Sequence, residues 1–265
     1  MSTKSVYWLA GIVFLGALIY GLGTAMHKNQ KQISNVSEQE ATSTSPGPVE
    51  VIPISHATML LRWGDLSLYT DPVGSVGKIP VPDIIFVTDI HGDHFSTSTL
   101  LSIVEASTTL IVPQAVKDGL GKDLASHAKV MKNGETISEK GFSISAIPMY
   151  NLPESPKAYH TKGRGNGYVI ERDGFRVYVA GDTSGIPEMR SLKDINIAFV
   201  PMNLPYTMSV EEAAIAVLDF KPKEVYPYHY RGQDGFSDVN KFKQLVNTGN
   251  PNIEVVLRNW YPTGE

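Results

Sequence analysis

Ile84-Ile85-Phe86-Val87-Thr88-Asp89-Ile90-His91-Gly92-Asp93-His94 begins as a continuous apolar run and ends with four metal-capable side chains in six residues. A short apolar run of this kind reads as a buried strand. Alternation along an extended segment puts Asp89 and His91 on one side, and Gly92 permits a turn that swings Asp93 and His94 toward a second position. Imidazole nitrogen and carboxylate oxygen are the donors expected for zinc, iron or manganese. The competing reading is a polar turn satisfied by local hydrogen bonds.

Two further strands end in the same way. Val177-Tyr178-Val179-Ala180-Gly181 runs into Asp182, and Glu224-Val225-Tyr226-Pro227-Tyr228 runs into His229. A carboxylate or imidazole at the tip of an apolar strand must be paired, coordinated or exposed at a cleft. Three such tips point to one shared cleft.

Around them, short runs rich in Val, Ile, Tyr and Phe recur: 51–54, 58–62, 66–69, 84–88, 109–112, 142–147, 168–171, 176–180, 195–200, 224–228 and 253–257. These read as strands. The clearest helix is Val210 to Phe220, where Ser209 and Glu212 form a capping box and Val210, Ala213, Ala214, Val217 and Leu218 make one apolar stripe. Further helices are expected at 238–246, 97–105 and 114–120. Helices with one apolar face among many strands predict an α/β fold whose sheets are covered on their outer sides by helices.

Composition narrows the chemistry. Lys plus Arg number 23 against 27 Asp plus Glu, with no long basic run, so no nucleic acid is expected as a partner. The absence of cysteine excludes disulfides, a thiolate metal site and a Cys nucleophile. Any metal is held by His, Asp and Glu.

The N-terminus has a different character. Ser5 to Met26 carries no charge, and Val6-Tyr7-Trp8 through Ala25 is apolar on all sides and long enough to span a bilayer, so 1–26 is read as an N-terminal transmembrane anchor. The alternative is a cleaved signal peptide, against which stands the length of the apolar run. Residues 27–50 are rich in Ser, Thr, Gln, Asn and Pro and read as a flexible linker with a mean span of roughly 25–30 Å. The expected product is a single-pass membrane protein with the domain that follows, 51–265, on the extracytoplasmic (periplasmic) side. Charge flanking the anchor does not itself decide the orientation.

Asp-x-His-x-Asp-His, followed by Gly181-Asp182-Thr183-Ser184-Gly185 and an isolated strand-terminal His229, resembles the metallo-β-lactamase superfamily, whose usual first motif is H-x-H-x-D-H. With Ile54-Ser55-His56-Ala57 ahead of it, the pattern looks closest to the branch of N-acyl phosphatidylethanolamine phospholipase D enzymes and ascorbate phosphate lactonases. The resemblance implies a four-layer αββα sandwich with a one- or two-metal cleft at the sheet edges. It implies that His91 ligates a first metal, that Asp93, His94 and His229 ligate a second, and that Asp182 bridges them.

Two departures stand out. Asp89 replaces the first His, and the position of the third-motif His is occupied by Pro148-Met149-Tyr150-Asn151. His160, in a glycine-rich loop with Lys162 and Arg164, is the candidate replacement. That loop is equally readable as an anion seat or as a plain connection between strands. His56 reads as a supporting or core residue, and Asp71 as a partner behind a ligating imidazole.

The expected cofactor is a divalent transition metal, zinc first, with manganese or iron as alternatives. The expected reaction is hydrolysis of an ester, phosphodiester, lactone or amide bond in a small-molecule or lipid-derived substrate by activated water. Asp93 is assigned to orient the water or take its proton, and His160 or Tyr150 to steady the developing oxyanion. The alternative, motivated by the missing third-motif His, is a non-catalytic metal-binding envelope protein.

Overall fold

Apolar strands of four to eight residues cannot bury both faces alone, and here they are assembled into two sheets. The computed structural model describes residues 48–77 and 80–262. The expected anchor over 1–26 and most of the linker over 27–50 lie outside the described residues. Among those described, no helix is long and apolar enough to cross a membrane.

The first sheet contains β1 (Val49–Ser55), β2 (Thr58–Trp63), β3 (Leu66–Thr70), β4 (Ile84–Phe86), β5 (Thr109–Val112) and β6 (Ala128–Val130), in that spatial order. β1 takes in Val49 and Glu50, which composition assigned to the linker. Its neighbours pair antiparallel through β3 and parallel from β3 to β6. β4 is buried on both faces, as its unbroken apolar run requires.

The second sheet contains β7 (Thr136–Glu139), β8 (Phe142–Met149), β9 (Gly165–Arg172), β10 (Phe175–Val179), β11 (Ile197–Pro201), β12 (Glu224–Tyr228) and β15 (Glu254–Val255), in the order β15-β12-β11-β10-β9-β8-β7. A two-residue hairpin, β13 (Arg231–Gly232) with β14 (Gly235–Phe236), stands apart.

Three hydrophobic cores define four layers. Side chains from both sheets, among them Trp63, Phe86, Tyr168, Phe199 and Trp260, fill the space between the sheets. The outer face of the first sheet packs on α1 (Thr97–Ile103), α2 (Gln114–Gly119) and α3 (Lys122–Ala125) through Leu100, Val116 and Leu124. The outer face of the second packs on α4 (Pro187–Arg190), α5 (Val210–Phe220) and α6 (Val239–Gly249) through Met189, Val217 and Phe242. Burying each such side chain stabilises the fold by about 1.5–3 kcal/mol.

α5 has the bounds that the capping box predicts: the Ser209 hydroxyl accepts from Glu212 N–H at 3.1 Å. Lys221 then stops the helix in the left-handed region, φ 48°. α6 starts likewise from the Asp238 carboxylate, which accepts from Lys241 N–H at 2.9 Å.

This topology gathers one end of every central strand. β3 and β4 run parallel, as do β10, β11 and β12, and β8 points the same way as β10 because β9 is antiparallel to both. The segments that follow β3, β4, β8, β10, β11 and β12 therefore emerge along one edge. At that edge the sheets touch: Asn166 N–H in β9 donates to the Thr88 carbonyl just beyond β4, at 2.9 Å. The approach is close enough that a Cβ on Gly165 would fall 2.7 Å from the Thr88 carbonyl oxygen. The glycines of Gly165-Asn166-Gly167 are thus required by backbone proximity.

Candidate metal centre

Each of the strand-tip residues singled out above reaches this edge, and they separate into two groups that share one carboxylate. Asp182, following β10, is buried, with Oδ2 at 3.4 Å from His94 Nε2 and 3.3 Å from His160 Nε2. Its Oδ1 lies 3.4 Å from His229 Nε2. It faces both groups, as a bridging residue would.

The second group comprises Asp93, His94, Asp182 and His229. The His94 and His229 Nε2 atoms are 3.1 Å apart, and Asp93 Oδ2 lies 3.4 Å from His229 Nε2. Each imidazole is fixed from behind. His94 Nδ1 donates to Asp71 Oδ2 at 2.8 Å, and Asp71 is held in turn by the Thr88 N–H and hydroxyl, both at 2.7 Å. This is the role that Asp71's position after β3 predicted, and it leaves the His94 Nε2 lone pair aimed into the cluster. His229, at φ 47°, rests its Nδ1 side on the Asn203 amide at 3.0 Å.

The first group comprises Asp89, His91, His160 and the shared Asp182. His160, the sequence's candidate for the missing third-motif histidine, lies among them. Its Nδ1 donates to the Tyr206 carbonyl at 3.2 Å, and its backbone N–H donates to Asn151 Oδ1 at 2.8 Å. Its Nε2, buried and without a hydrogen-bond partner among the described residues, faces Asp182 Oδ2 at 3.3 Å and Asp89 Oδ2 at 3.8 Å. His91 Nδ1 lies 3.0 Å from Asp89 Oδ2.

This arrangement fits a divalent cation. A buried imidazole lone pair facing carboxylate lone pairs is repulsive unless a positive charge lies between them. The same conflict holds for the His94 and His229 Nε2 atoms. With protons alone to resolve it, burial drives the His94 imidazole down, but Asp182 and Asp71 outweigh that and hold it well above its ordinary value. Burial likewise pushes the Asp182 and Asp93 carboxyls up, and the surrounding histidines hold both well below the usual carboxylate range. Such opposed shifts among buried acids and bases gathered in one place are characteristic of functional sites. Three sets of donor atoms each lie within 4.8 Å of one another: His94, Asp182 and His229; Asp89, His91 and His160; and His56, Asp93 and His229.

Several expectations need correction. Tyr150 does not face the cluster: its hydroxyl donates to Glu188 Oε2 at 3.0 Å, its ring packs in the outer helical core, and Lys162 Nζ stands 4.5 Å above it. It cannot steady an oxyanion from there. His160 Nε2, for its part, is turned to Asp182 and Asp89. The loop is no open anion seat, because Lys162 pairs with Glu188 and Glu154, while Arg164 forks onto Asp89 at 3.0 and 2.7 Å.

Other residues extend the site. His56 Nε2 lies 3.4 Å from Asp93 Oδ2, and its ring centroid is 3.9 Å from that of His229. Tyr261, whose hydroxyl is 2.8 Å from His56 Nδ1, fixes it. The support given by Asn203, Tyr206 and Tyr261 was not anticipated, since each acts across more than 25 residues of chain. Arg164 had a signal: a carboxylate at a buried strand tip implies a cationic partner.

A family model described as a beta-lactamase superfamily domain matches residues 51–229. A UPF0173 metal-dependent hydrolase of Thermus thermophilus is 32% identical over 195 residues, covering 69% of this chain and 84% of the relative. The crystal structure of a protein assigned as a metal-dependent hydrolase from Parabacteroides distasonis superposes with a TM-score of 0.72 at 38% identity, covering 79% of this chain and 92% of that one. Igni18, a metallo hydrolase from Ignicoccus hospitalis, shares the fold with a TM-score of 0.65 at 22% identity, over 80% of this chain and 95% of its own.

Proposed function

Because the chain belongs to the beta-lactamase superfamily and is a metal-dependent hydrolase, we infer that it hydrolyses an ester, phosphodiester, lactone or amide bond with two metal positions that share Asp182. The observation that carries this reading is the pair of donor groups meeting at Asp182, with His160 completing the first. Oxygen and nitrogen donors without thiolate favour zinc, with manganese and iron as the alternatives. A bound divalent ion lowers the pKa of coordinated water and polarises a carbonyl or phosphoryl oxygen.

The chain's own residues do the rest. Asp93 is the one carboxylate of the cluster with substantial solvent access, its side chain 43% exposed, so it orients the attacking water and receives its proton. His56 and His229 hold that carboxylate from two sides. Asp71, Asn203 and the Tyr206 carbonyl fix the imidazoles, which keeps the donors pre-arranged.

The rim supports a substrate with an apolar part. Ile90, Leu152, Tyr159, Leu204 and Phe236 are exposed and lie on the loops and hairpin around this edge. With the apolar run at 6–25, this favours a lipid-derived substrate handled by a membrane-tethered domain on the extracytoplasmic side. The missing third-motif His, which motivated a non-catalytic reading, loses its force once His160 stands in that place.

The test uses the full chain with its metal content measured, and turnover compared across esters, phosphodiesters, lactones and amides with short and long acyl groups. Hydrolysis of one class that rises with acyl length and is abolished by Asp93→Asn is expected. Equal turnover of short and long substrates removes the lipid assignment, and unchanged turnover in Asp93→Asn removes the role given to that carboxylate.

A further inference from the structure

The two donor groups differ in charge. The second contains Asp93 and Asp182, with Asp71 directly behind His94, and among the described residues none of these three carboxylates pairs with a Lys or Arg. The first contains Asp89, whose two oxygens are both taken by Arg164: Nε to Oδ1 at 3.0 Å and Nη2 to Oδ2 at 2.7 Å. Asp89 is fully buried, and Arg164 retains only 23% of its side-chain exposure.

Oδ2 is also the Asp89 oxygen nearest to His91 Nδ1, at 3.0 Å, and to His160 Nε2, at 3.8 Å. The one oxygen of Asp89 that addresses the first metal position therefore already accepts a charge-assisted hydrogen bond. A guanidinium is permanently charged, and its fork holds both carboxylate oxygens in a fixed plane. It weakens Oδ2 as a donor and places a positive charge next to any incoming cation.

Resting on the two-position reading above, we propose that the Arg164–Asp89 pair makes the metal positions unequal. The Asp93, His94, Asp182 and His229 group fills first and tightly, and the Asp89, His91 and His160 group fills second and weakly. The Asp found where the motif usually has His then has a purpose together with Arg164. The pair keeps the first position neutral and intact when empty, whereas an unpaired buried carboxylate there would destabilise the metal-free protein. The chain can accordingly exist in a one-metal form at low metal and a two-metal form at high metal.

Calorimetric titration of the chelator-stripped full chain with zinc, with stoichiometry checked by elemental analysis, tests this. Two stepwise equivalents are expected, with dissociation constants separated by about tenfold or more. His94→Ala should remove the tight equivalent and His160→Ala the weak one. Arg164→Gln should narrow the separation, while Arg164→Lys, which keeps the charge, should preserve it. Two equal equivalents in the unaltered chain, loss of the tight equivalent in His160→Ala, or a gap in Arg164→Gln that is unchanged or wider would overturn the proposal. Fewer than two equivalents at saturation would overturn the two-position reading itself and the proposal with it. Should Arg164→Gln fail to fold, the gap in the unaltered chain and the two histidine variants still decide.

Discussion

A histidine whose Nδ1 donates to a backbone carbonyl presents its Nε2 lone pair, and His160 presents it to Asp182 and Asp89. Substituting alanine there removes one nitrogen donor and leaves the helper interactions of the second group untouched. The expected result is loss of one metal equivalent and a fall in kcat/KM of about 100-fold or more, measured by elemental analysis and by steady-state assay on the same preparation. Retention of both equivalents would show that the first group does not need His160. This residue was legible because the chemistry had a gap and the chain offered one histidine near it. Arg164 was legible in part: its charge was noticed, but its partner was missed, since a loop residue meeting a strand tip across 75 positions leaves no periodic trace. Tyr150 was misread because proximity to the third-motif position says nothing about which way the ring turns. Its hydroxyl had an alternative acceptor in Glu188, on a short helix without a sequence signal.

The loop over 150–164 is fastened to α4 by a clasp in which Tyr150 O–H and Lys162 Nζ both meet the Glu188 carboxylate, at 3.0 and 3.2 Å. Burial pushes that carboxyl up, and its own backbone N–H, then Tyr150 and Lys162, outweigh the push and hold it below its ordinary value of 4.5. A group with a depressed folded pKa contributes stability above its unfolded pKa and loses it as pH falls through the folded value. Glu188→Gln should therefore lower Tm at pH 7, with the difference from the unaltered chain shrinking as pH is taken below 4.5. A difference that is constant with pH would mean that the clasp acts through shape alone. Inside the second sheet, a Cβ on Gly167 would lie 2.6 Å from the Ala180 carbonyl oxygen and 3.0 Å from that of Val179, both backbone atoms that cannot rotate away. Gly167→Ala is expected to destabilise by about 1–3 kcal/mol in denaturant unfolding, with loss of metal affinity because β9 positions the Thr88 contact. Elements with strong periodic or capping signals, α5 and β12 among them, appear at the bounds that the sequence predicts. Those that were missed, β6, β7, β13, β14, α3 and α4, are short pieces of two to four residues. Tertiary pairing creates such pieces, and local propensity does not announce them.

Across the folded unit, a divalent ion held by donors drawn from both sheets would also be a structural ligand. Binding the native arrangement and not the unfolded chain, it would stabilise by about 4 kcal/mol at a free concentration 1,000 times its dissociation constant. Stripping it with a chelator should lower Tm markedly, and readdition of zinc should restore the value. An unchanged Tm on complete stripping would mean that the donor cluster is held by protein contacts alone. The same site is tied to the far end of the chain. Trp260 is fully buried between the sheets, the Trp260 carbonyl accepts from His56 N–H at 3.1 Å, and the Tyr261 hydroxyl both meets His56 and accepts from Arg231 N–H at 3.1 Å. A chain is made from its N-terminus, so the second donor group lacks His229 until residue 229 has been added, and His56 lacks its holder until Tyr261 has. A chain arrested before His229 carries the first motif without this donor and is expected to hold metal less tightly than one extended past Tyr261.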